Sequence, residues 1–355
     1  MFFDLNVPIT KKISANTSKK GKGTGNEALV SYSPAEIAAV EHRIDLQVHL
    51  GYTILSFCQT INKRVDPKVH VNVLNPLVAL LRKRPGIVYL KRLNIILDQD
   101  SEKGFGLINA NVTFFNSYDL LSLCPTTHNT FNQACLTHSL PSNLTAHIIS
   151  LPSTLPRLPF HLKHTLIRTA IKNGAVFEIN YVGSLGAEQE PTLVDANAAE
   201  SGPAAKRNWW AATRELIRVC KGKGLILSGG CVVECDLRAP RDISNIISIL
   251  GLAQDATHEA STKTPKSLIL RAETRKTYRA VFSEPTVVLP EDSQIRSSVP
   301  GPVEQMEIDP DSSQVSVSKR PHEDSEPLNV PRQSAAAQPS KKKKKKPNKS
   351  DKSSS

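Results

Sequence analysis

The 355-residue chain lacks any run of about 20 apolar residues, so no segment reads as a membrane span. Its first residues, Met1-Phe2-Phe3-Asp4-Leu5-Asn6, lack the basic-then-apolar order of a secretory signal. No G-x-S-x-G elbow and no H-E-x-x-H pair occurs, which removes the common hydrolase and metalloprotease signatures. The six cysteines form no C-x-x-C pair. Cys58 and Cys220 lie in apolar runs and read as small core residues. Cys231 and Cys235 make half of a metal site that no second pair completes. Reduced thiols in a cytosolic or nuclear compartment are the expectation.

What is abundant is positive charge. The formal net charge is +12 and the pI about 9.4, which favours an anionic partner. Residues 285–355 hold 12 basic and 10 acidic residues, a net of +2, so residues 1–284 carry +10. A basic folded body suits a shaped polyanion such as structured RNA better than a membrane. Residues 206–282 are densest, with 14 Lys and Arg against 7 Asp and Glu. Lys206 to Lys221 reads as an amphipathic helix. At about 100° per residue, Arg207, Arg214, Arg218 and Lys221 fall within roughly 60° of one another. Trp209, Leu216, Val219 and Cys220 fall opposite. Gly222 is placed to stop the helix in a left-handed conformation. Lysines and arginines near a helix C-terminus also complement its dipole, which is the purely structural account of such a stripe.

Along the chain, strand and helix signals alternate. Phe2 to Val7 reads as a strand, and residues 10–33 as a polar loop. Gly21 to Gly25 lacks phosphate-loop spacing. Ser33-Pro34-Ala35-Glu36 is a capping box opening a helix whose buried face is Ile37, Val40, Ile44 and Val48. His42 and His49 share a face of that helix, and their neighbours suggest packing. Further strands are expected at Tyr52 to Phe57, Ile87 to Leu97, Asp119 to Leu123, Ala146 to Leu151, Ala175 to Tyr181 and Leu225 to Leu227. Helices are expected at Asn72 to Leu81, His128 to Thr137, His161 to Lys172 and Ile243 to Leu250. Residues 183–205 read as an acidic, Gly/Ala-rich insertion, and Arg271 to Arg279 as a last basic run. Seven short strands alternating with helices imply a mostly parallel α/β sheet, and about 280 residues of such units imply a barrel. Continuous apolar runs such as Ile95-Ile96-Leu97 fit strands covered on both faces.

Four short pieces then stand in order: Cys220-Lys-Gly-Lys-Gly-Leu-Ile-Leu-Ser228, Leu237-Arg-Ala-Pro-Arg-Asp-Ile-Ser-Asn245, Gly251-Leu252 and Glu273-Thr-Arg-Lys276. Together they resemble the thirty-kilodalton protein subunit family of ribonuclease P and RNase MRP. The resemblance covers roughly residues 1–284. It implies a TIM-like barrel related to the polymerase-and-histidinol-phosphatase (PHP) metallophosphoesterases. It further implies a protein without its own catalysis or cofactor, bound to a catalytic RNA that removes the 5′ leader of precursor tRNA. The implied partners are that RNA, a small α/β protein subunit of the same particle and, indirectly, precursor tRNA. The RNA-contact candidates are Arg207, Arg214, Arg218, Lys221, Lys223, Arg238, Arg241, Arg271, Arg275, Lys276 and Arg279. The first strand departs from the metal-binding PHP pattern. Asp4 and Asn6 stand where alternating histidines open it, and a carboxylate with an amide makes a poor site for zinc or manganese. His161 and His164, three apart on one expected helix, have no acidic partner. Glu178 lies within a strand, as a carboxylate partnered by an arginine or as the remnant of an older active site.

From about Val288 the periodicity vanishes and Pro, Ser, Gln and acidic residues dominate, which reads as disorder. The expected organisation is a barrel domain over 1–284 and a tail over 285–355. The tail ends in Lys341, Lys342, Lys343, Lys344, Lys345 and Lys346, an expected nuclear import signal with a nucleolar destination, or a nonspecific RNA contact. Two rival functions are a metal-dependent PHP phosphoesterase and a general nuclear RNA-binding adaptor.

Overall fold

The computed structural model describes residues 1–11, 30–62, 64–67, 70–187 and 202–276. Seven strands form one sheet in the order in which they occur: β1 Phe2–Pro8, β2 Tyr52–Asn62, β3 Val88–Leu97, β4 Leu120–Pro125, β5 Ile148–Ser150, β6 Val176–Asn180 and β7 Leu225–Ser228. Every neighbouring pair is parallel. The helices between them are α1 Pro34–His49, α2 Leu74–Leu80, α3 Val112–Phe115, α4 His128–Leu136, α5 His164–Lys172, α6 Val182–Leu185 and α7 Pro203–Cys220. After β7 come α8 Pro240–Ile249, α9 Gln254–Ser261 and α10 Lys263–Lys276. Parallel neighbours need a crossover at each step, and the strand–helix alternation supplies it.

The sheet curls until β7 meets β1. Gly230 N donates to Asn6 O at 2.9 Å, and Gly229 N donates to Asp4 Oδ1 at 2.8 Å. A Cβ on Gly229 would lie 2.6 Å from Asp4 Oδ2, so only glycine permits this approach. Helix α1 staples the seam from outside. Its Gln47 donates to Asp4 Oδ2 at 2.9 Å, and Arg43 donates to the carbonyls of Pro8 and Cys231. The expected capping box is formed: Glu36 N donates to Ser33 Oγ, and Ser33 N to Glu36 Oε2. The buried face of α1 is more polar than the periodicity implies, because Arg43, Ile44 and Gln47 are its buried residues. His42 and His49 are exposed rather than packed, and His42 Nδ1 lies 2.9 Å from Glu234 Oε2.

The barrel interior is layered along the strand direction. At the N-terminal ends, Phe3, Ile54, Leu90, Leu120, Ile148, Val176 and Ile226 form an apolar floor. Helix α10 closes it from below with Leu268 and Ala272. Above lie Ser56, Arg92, Ser122 and Glu178, all buried. The larger apolar cluster lies outside the sheet, between the strands and the surrounding helices.

Four helices, α3, α6, α9 and α10, were not legible in the sequence, the first two being single turns of four residues. Helix α9 has a weak apolar face, and α10 carries so much charge that Arg271 to Lys276 reads as a basic run. Strand β2 extends five residues past its expected end at Phe57. His161 precedes α5 and does not share that helix with His164. Most of the 10–33 loop, with Gly21 to Gly25, and most of the 183–205 insertion lie outside the described residues, as does everything after Lys276.

Candidate nucleic-acid interface

Helix α7 has two faces of different chemistry. Trp209, Thr213, Leu216, Ile217, Val219 and Cys220 are buried against the barrel. Trp209 is fully covered, and its Nε1–H donates to Asn180 O at 2.8 Å. A Cβ on Gly183 would come within 2.3 Å of the indole, so this glycine leaves the ring its place. The indole therefore fixes α7 to the end of β6 through both area and a hydrogen bond.

On the other face Arg207, Arg214 and Arg218 are exposed, as the periodicity predicts. Arg218 is not free of partners: Nη2 lies 2.6 Å and Nε 2.9 Å from the Glu215 carboxylate. An exposed pair of this kind contributes little stability, so a phosphate can displace it at small cost. Lys221 is no longer helical. It takes φ 52° as the left-handed residue that ends α7, one position before the glycine expected there. Lys221 and Lys223 then line a groove of about 250 Å3 with His164 and Arg168 of α5. Ile167, Ile171, Val219 and Cys220 line its apolar parts, and no carboxylate takes part. Arg168 was not among the candidates from sequence. Its proximity to Lys221 is a tertiary fact that no spacing encodes.

The remaining candidates divide. Arg241 is exposed in the first turn of α8. Arg238 is half-buried, and its Nη1 donates to the carbonyls of Cys235 and Leu237. Arg275 is 3% exposed and donates through Nη2 to Tyr118 O at 2.8 Å. Lys276 is paired with Asp119 at 2.8 Å, and Arg271 is half-buried beside Gly174. These three therefore belong to the underside of the barrel and not to an open cationic surface. Arg279 and Lys341 to Lys346 lie outside the described residues.

The barrel interior holds the pair that the sequence left open. Glu178 and Arg92 meet with both oxygens and both terminal nitrogens, at 2.5 and 2.6 Å. Arg92 also donates to Leu5 O and Ser122 Oγ. Burial pushes the Glu178 carboxyl up, but the Arg92 guanidinium outweighs it and holds the group below the usual carboxylate range. Asp4 accepts from Gly229 N, Asn6 N and Gln47, while Asn6 donates to Asn180 Oδ1 at 3.0 Å. The strand register shifts between Asp4 and Val7, and the two side chains engage different partners. Burial raises the Asp4 carboxyl despite the two backbone N–H groups that lower it. This donor set does not fit a divalent metal. Glu178 is committed to Arg92, Asp4 to the seam, and among the described residues no three His, Cys, Asp or Glu side chains converge as a metal site. Cys231 is buried with Sγ toward Asp236 O, whereas Cys235 is exposed.

Comparison with known proteins agrees with this architecture. A mouse protein, ribonuclease P protein subunit p30, is 25% identical over 267 residues, 73% of this chain and 90% of its own. A fission yeast protein, probable ribonuclease P protein subunit 3 of Schizosaccharomyces pombe, is 26% identical over 66% of this chain and 87% of its own. The ribonuclease P/MRP protein subunit RPP1 of Saccharomyces cerevisiae is 26% identical over 59% of this chain and 64% of its own. Among solved structures, a chain of archaeal ribonuclease P with mature tRNA superposes with a TM-score of 0.51 at 13% identity. It covers 81% of this chain and 99% of its own, and shares the fold. The family model for RNase P subunit p30 matches residues 1–277, and this chain belongs to that family.

Proposed function

We propose that this chain is a noncatalytic, RNA-binding protein subunit of a ribonuclease P particle, and of RNase MRP, acting in the nucleus. In this reading the RNA performs cleavage of the precursor tRNA leader. The protein clamps the RNA fold beside a small α/β protein subunit, and the MRP particle extends the role to ribosomal RNA processing. The observation that carries the reading is α7, in a chain of the p30 family: its exposed arginines stand on a helix whose opposite side is locked by Trp209. Such cations meet phosphates, which position a protein on RNA without reading bases. Lys221 and Lys223 are assigned to the same contact, with Arg168 added from the α5–α7 groove; Arg238 and Arg241 are kept as separate candidate contacts.

The test replaces Arg207, Arg214, Arg218 and Lys221 with glutamine and measures binding to the catalytic RNA across a salt series. Each lost phosphate contact removes released counterions, so log affinity should fall less steeply with log salt. The expected result is a native fold, weaker binding and a slope reduced by a few units at most. An unchanged slope makes the α7 face a solvated surface or a protein interface. Pure protein incubated with precursor tRNA and magnesium or manganese should show no specific 5′ cleavage, and cleavage would revive the phosphoesterase reading. Removing residues 336–355 should move the protein from nucleus toward cytoplasm, and unchanged localisation would sink the import role of Lys341 to Lys346.

A further inference from the structure

A second concentration of positive charge lies under the barrel, and it differs in kind from the α7 face. Arg271 and Arg275 are four apart on α10, so they share one helix face. Arg275 is 3% exposed, yet its Nε and one terminal nitrogen have no hydrogen-bond partner. The Nε of Arg271 and the Nδ1 of His147, which is 5% exposed, are likewise buried without one. All three residues line one pocket of about 140 Å3, together with Ser142, Thr145 and Asn173. No carboxylate lines it. The place is fixed from several elements. His147 immediately precedes β5, Arg275 is tied to Tyr118 just before β4, and Arg271 rests over Gly174 just before β6.

Buried donors left unpaired cost stability, and two guanidiniums on one face add mutual repulsion. Burial lowers Arg275 to about 10 and also lowers Arg271. His147 falls to about 4, through burial first and then the two arginines. Water could satisfy the donors but brings no charge. A dianionic or monoanionic oxyanion satisfies both, since each oxygen accepts charge-assisted bonds from the arginine forks. We propose that Arg271, Arg275 and His147 form a phosphate-binding pocket at the N-terminal end of the barrel. Its ligand is a phosphate group, either free or as a phosphodiester of bound RNA. The site is independent of the α7 face.

The test follows thermal unfolding of the full chain while inorganic phosphate is titrated at constant ionic strength, with chloride as the reference ion. A saturable rise in Tm is expected for phosphate. Arg271→Gln, whose side chain is half-buried and supports no carboxylate, should fold and weaken the midpoint by about tenfold, the loss of one charge-assisted contact. Arg275→Met keeps the buried length without the charge and should abolish saturation. Arg214→Gln on α7 should keep the wild-type midpoint. No saturable rise in the wild type, or an unchanged midpoint in Arg271→Gln, overturns the pocket. A second arm adds the catalytic RNA. Competition between RNA and phosphate, lost in Arg271→Gln, identifies a phosphodiester as the ligand; independent binding identifies a small phosphate compound. Because the first arm contains no RNA, a failed pocket and a failed α7 interface give different results.

Discussion

Arg92 and Arg275 are both buried, and the fold treats them in opposite ways. Arg92 stands in mid-barrel with Glu178 on both terminal nitrogens and a serine and a carbonyl beside it. Arg275 stands beneath the barrel with one carbonyl and two open nitrogens. Asp119 and Glu273 act on it only at a distance. The first arrangement consumes charge to build the interior. The second leaves binding capacity in place. On the surface, α7 repeats the contrast across a single helix, with Trp209 spent on packing and Arg214 left to solvent.

The sharpest way to break the comparison is to unbalance the satisfied pair. Glu178→Gln leaves Arg92 charged and uncompensated, and should cost about 3–5 kcal/mol in urea unfolding. Replacing both residues together, Arg92→Met with Glu178→Leu, should cost less than that single change. A double variant worse than the single would mean that the pair itself stabilises the fold. Trp209→Ala should cost on the order of 3–5 kcal/mol as well, because a large cavity opens at the β6 end. The same variant should keep the wild-type salt slope of RNA binding in the fraction that remains folded. A changed slope would show that the ring also places the cationic face.

Acid titration separates the two ends of the barrel next. The folded-state value of His147 lies below its ordinary 6.5, at about 4, so the native fold keeps the neutral ring. Above 6.5 neither state holds the proton and nothing is lost. As pH falls from 6.5 to 4 the unfolded chain takes it up first, and stability declines by about 3 kcal/mol. His70, also lowered to about 4 by burial, adds to the same window. Glu178 acts lower. Its folded value is depressed, so its contribution is present above the unfolded value near 4.5 and is lost as pH falls below it. His147→Gln should shrink the upper stage to the part that His70 supplies and leave the lower one unchanged. A profile without an upper stage would place the His147 ring in contact with water or an anion.

The smallest expected effect concerns Lys221. Its left-handed backbone is costly for a residue with a Cβ, and glycine relieves that cost at some loss of chain entropy. Lys221→Gly should raise stability by up to about 1 kcal/mol while lowering the RNA salt slope by about one unit. A loss of stability would show that the lysine stem packs usefully in the α5–α7 groove.

The parallel barrel was legible because its strands are short apolar runs separated by turn and cap signals, and Ser33 to Glu36 is such a signal. The split of α7 into a tryptophan face and an arginine face was legible for the same reason: a period of 3.6 needs no tertiary information. The fates of Arg271, Arg275 and Lys276 were not. A basic run on a sequence does not say that a helix will slide beneath a barrel floor and turn its arginines inward. Leu268 and Ala272 are too few to announce it. Arg168 and His147 were invisible as site residues because each acquires its meaning from an element distant in sequence. Glu178 was recognised as an interior carboxylate, but Arg92, which precedes it by 86 residues, could be identified only in the folded chain.

Helix α10 also sets an order of events during synthesis. Its Leu268 and Ala272 complete a floor to which strands β1 to β7 contribute, so the interior stays open to water until residue 272 has been made. The outer edge of the first strand, whose other edge pairs with β2, waits for a partner more than 200 residues away, as the Gly230–Asn6 bond across the seam requires. Sheets paired over such separations form slowly and expose unpaired edges in the meantime. The ribosome thus delivers the stopper only after all seven strands, and a transcript or protease that shortens the chain before 268 leaves a barrel without its base.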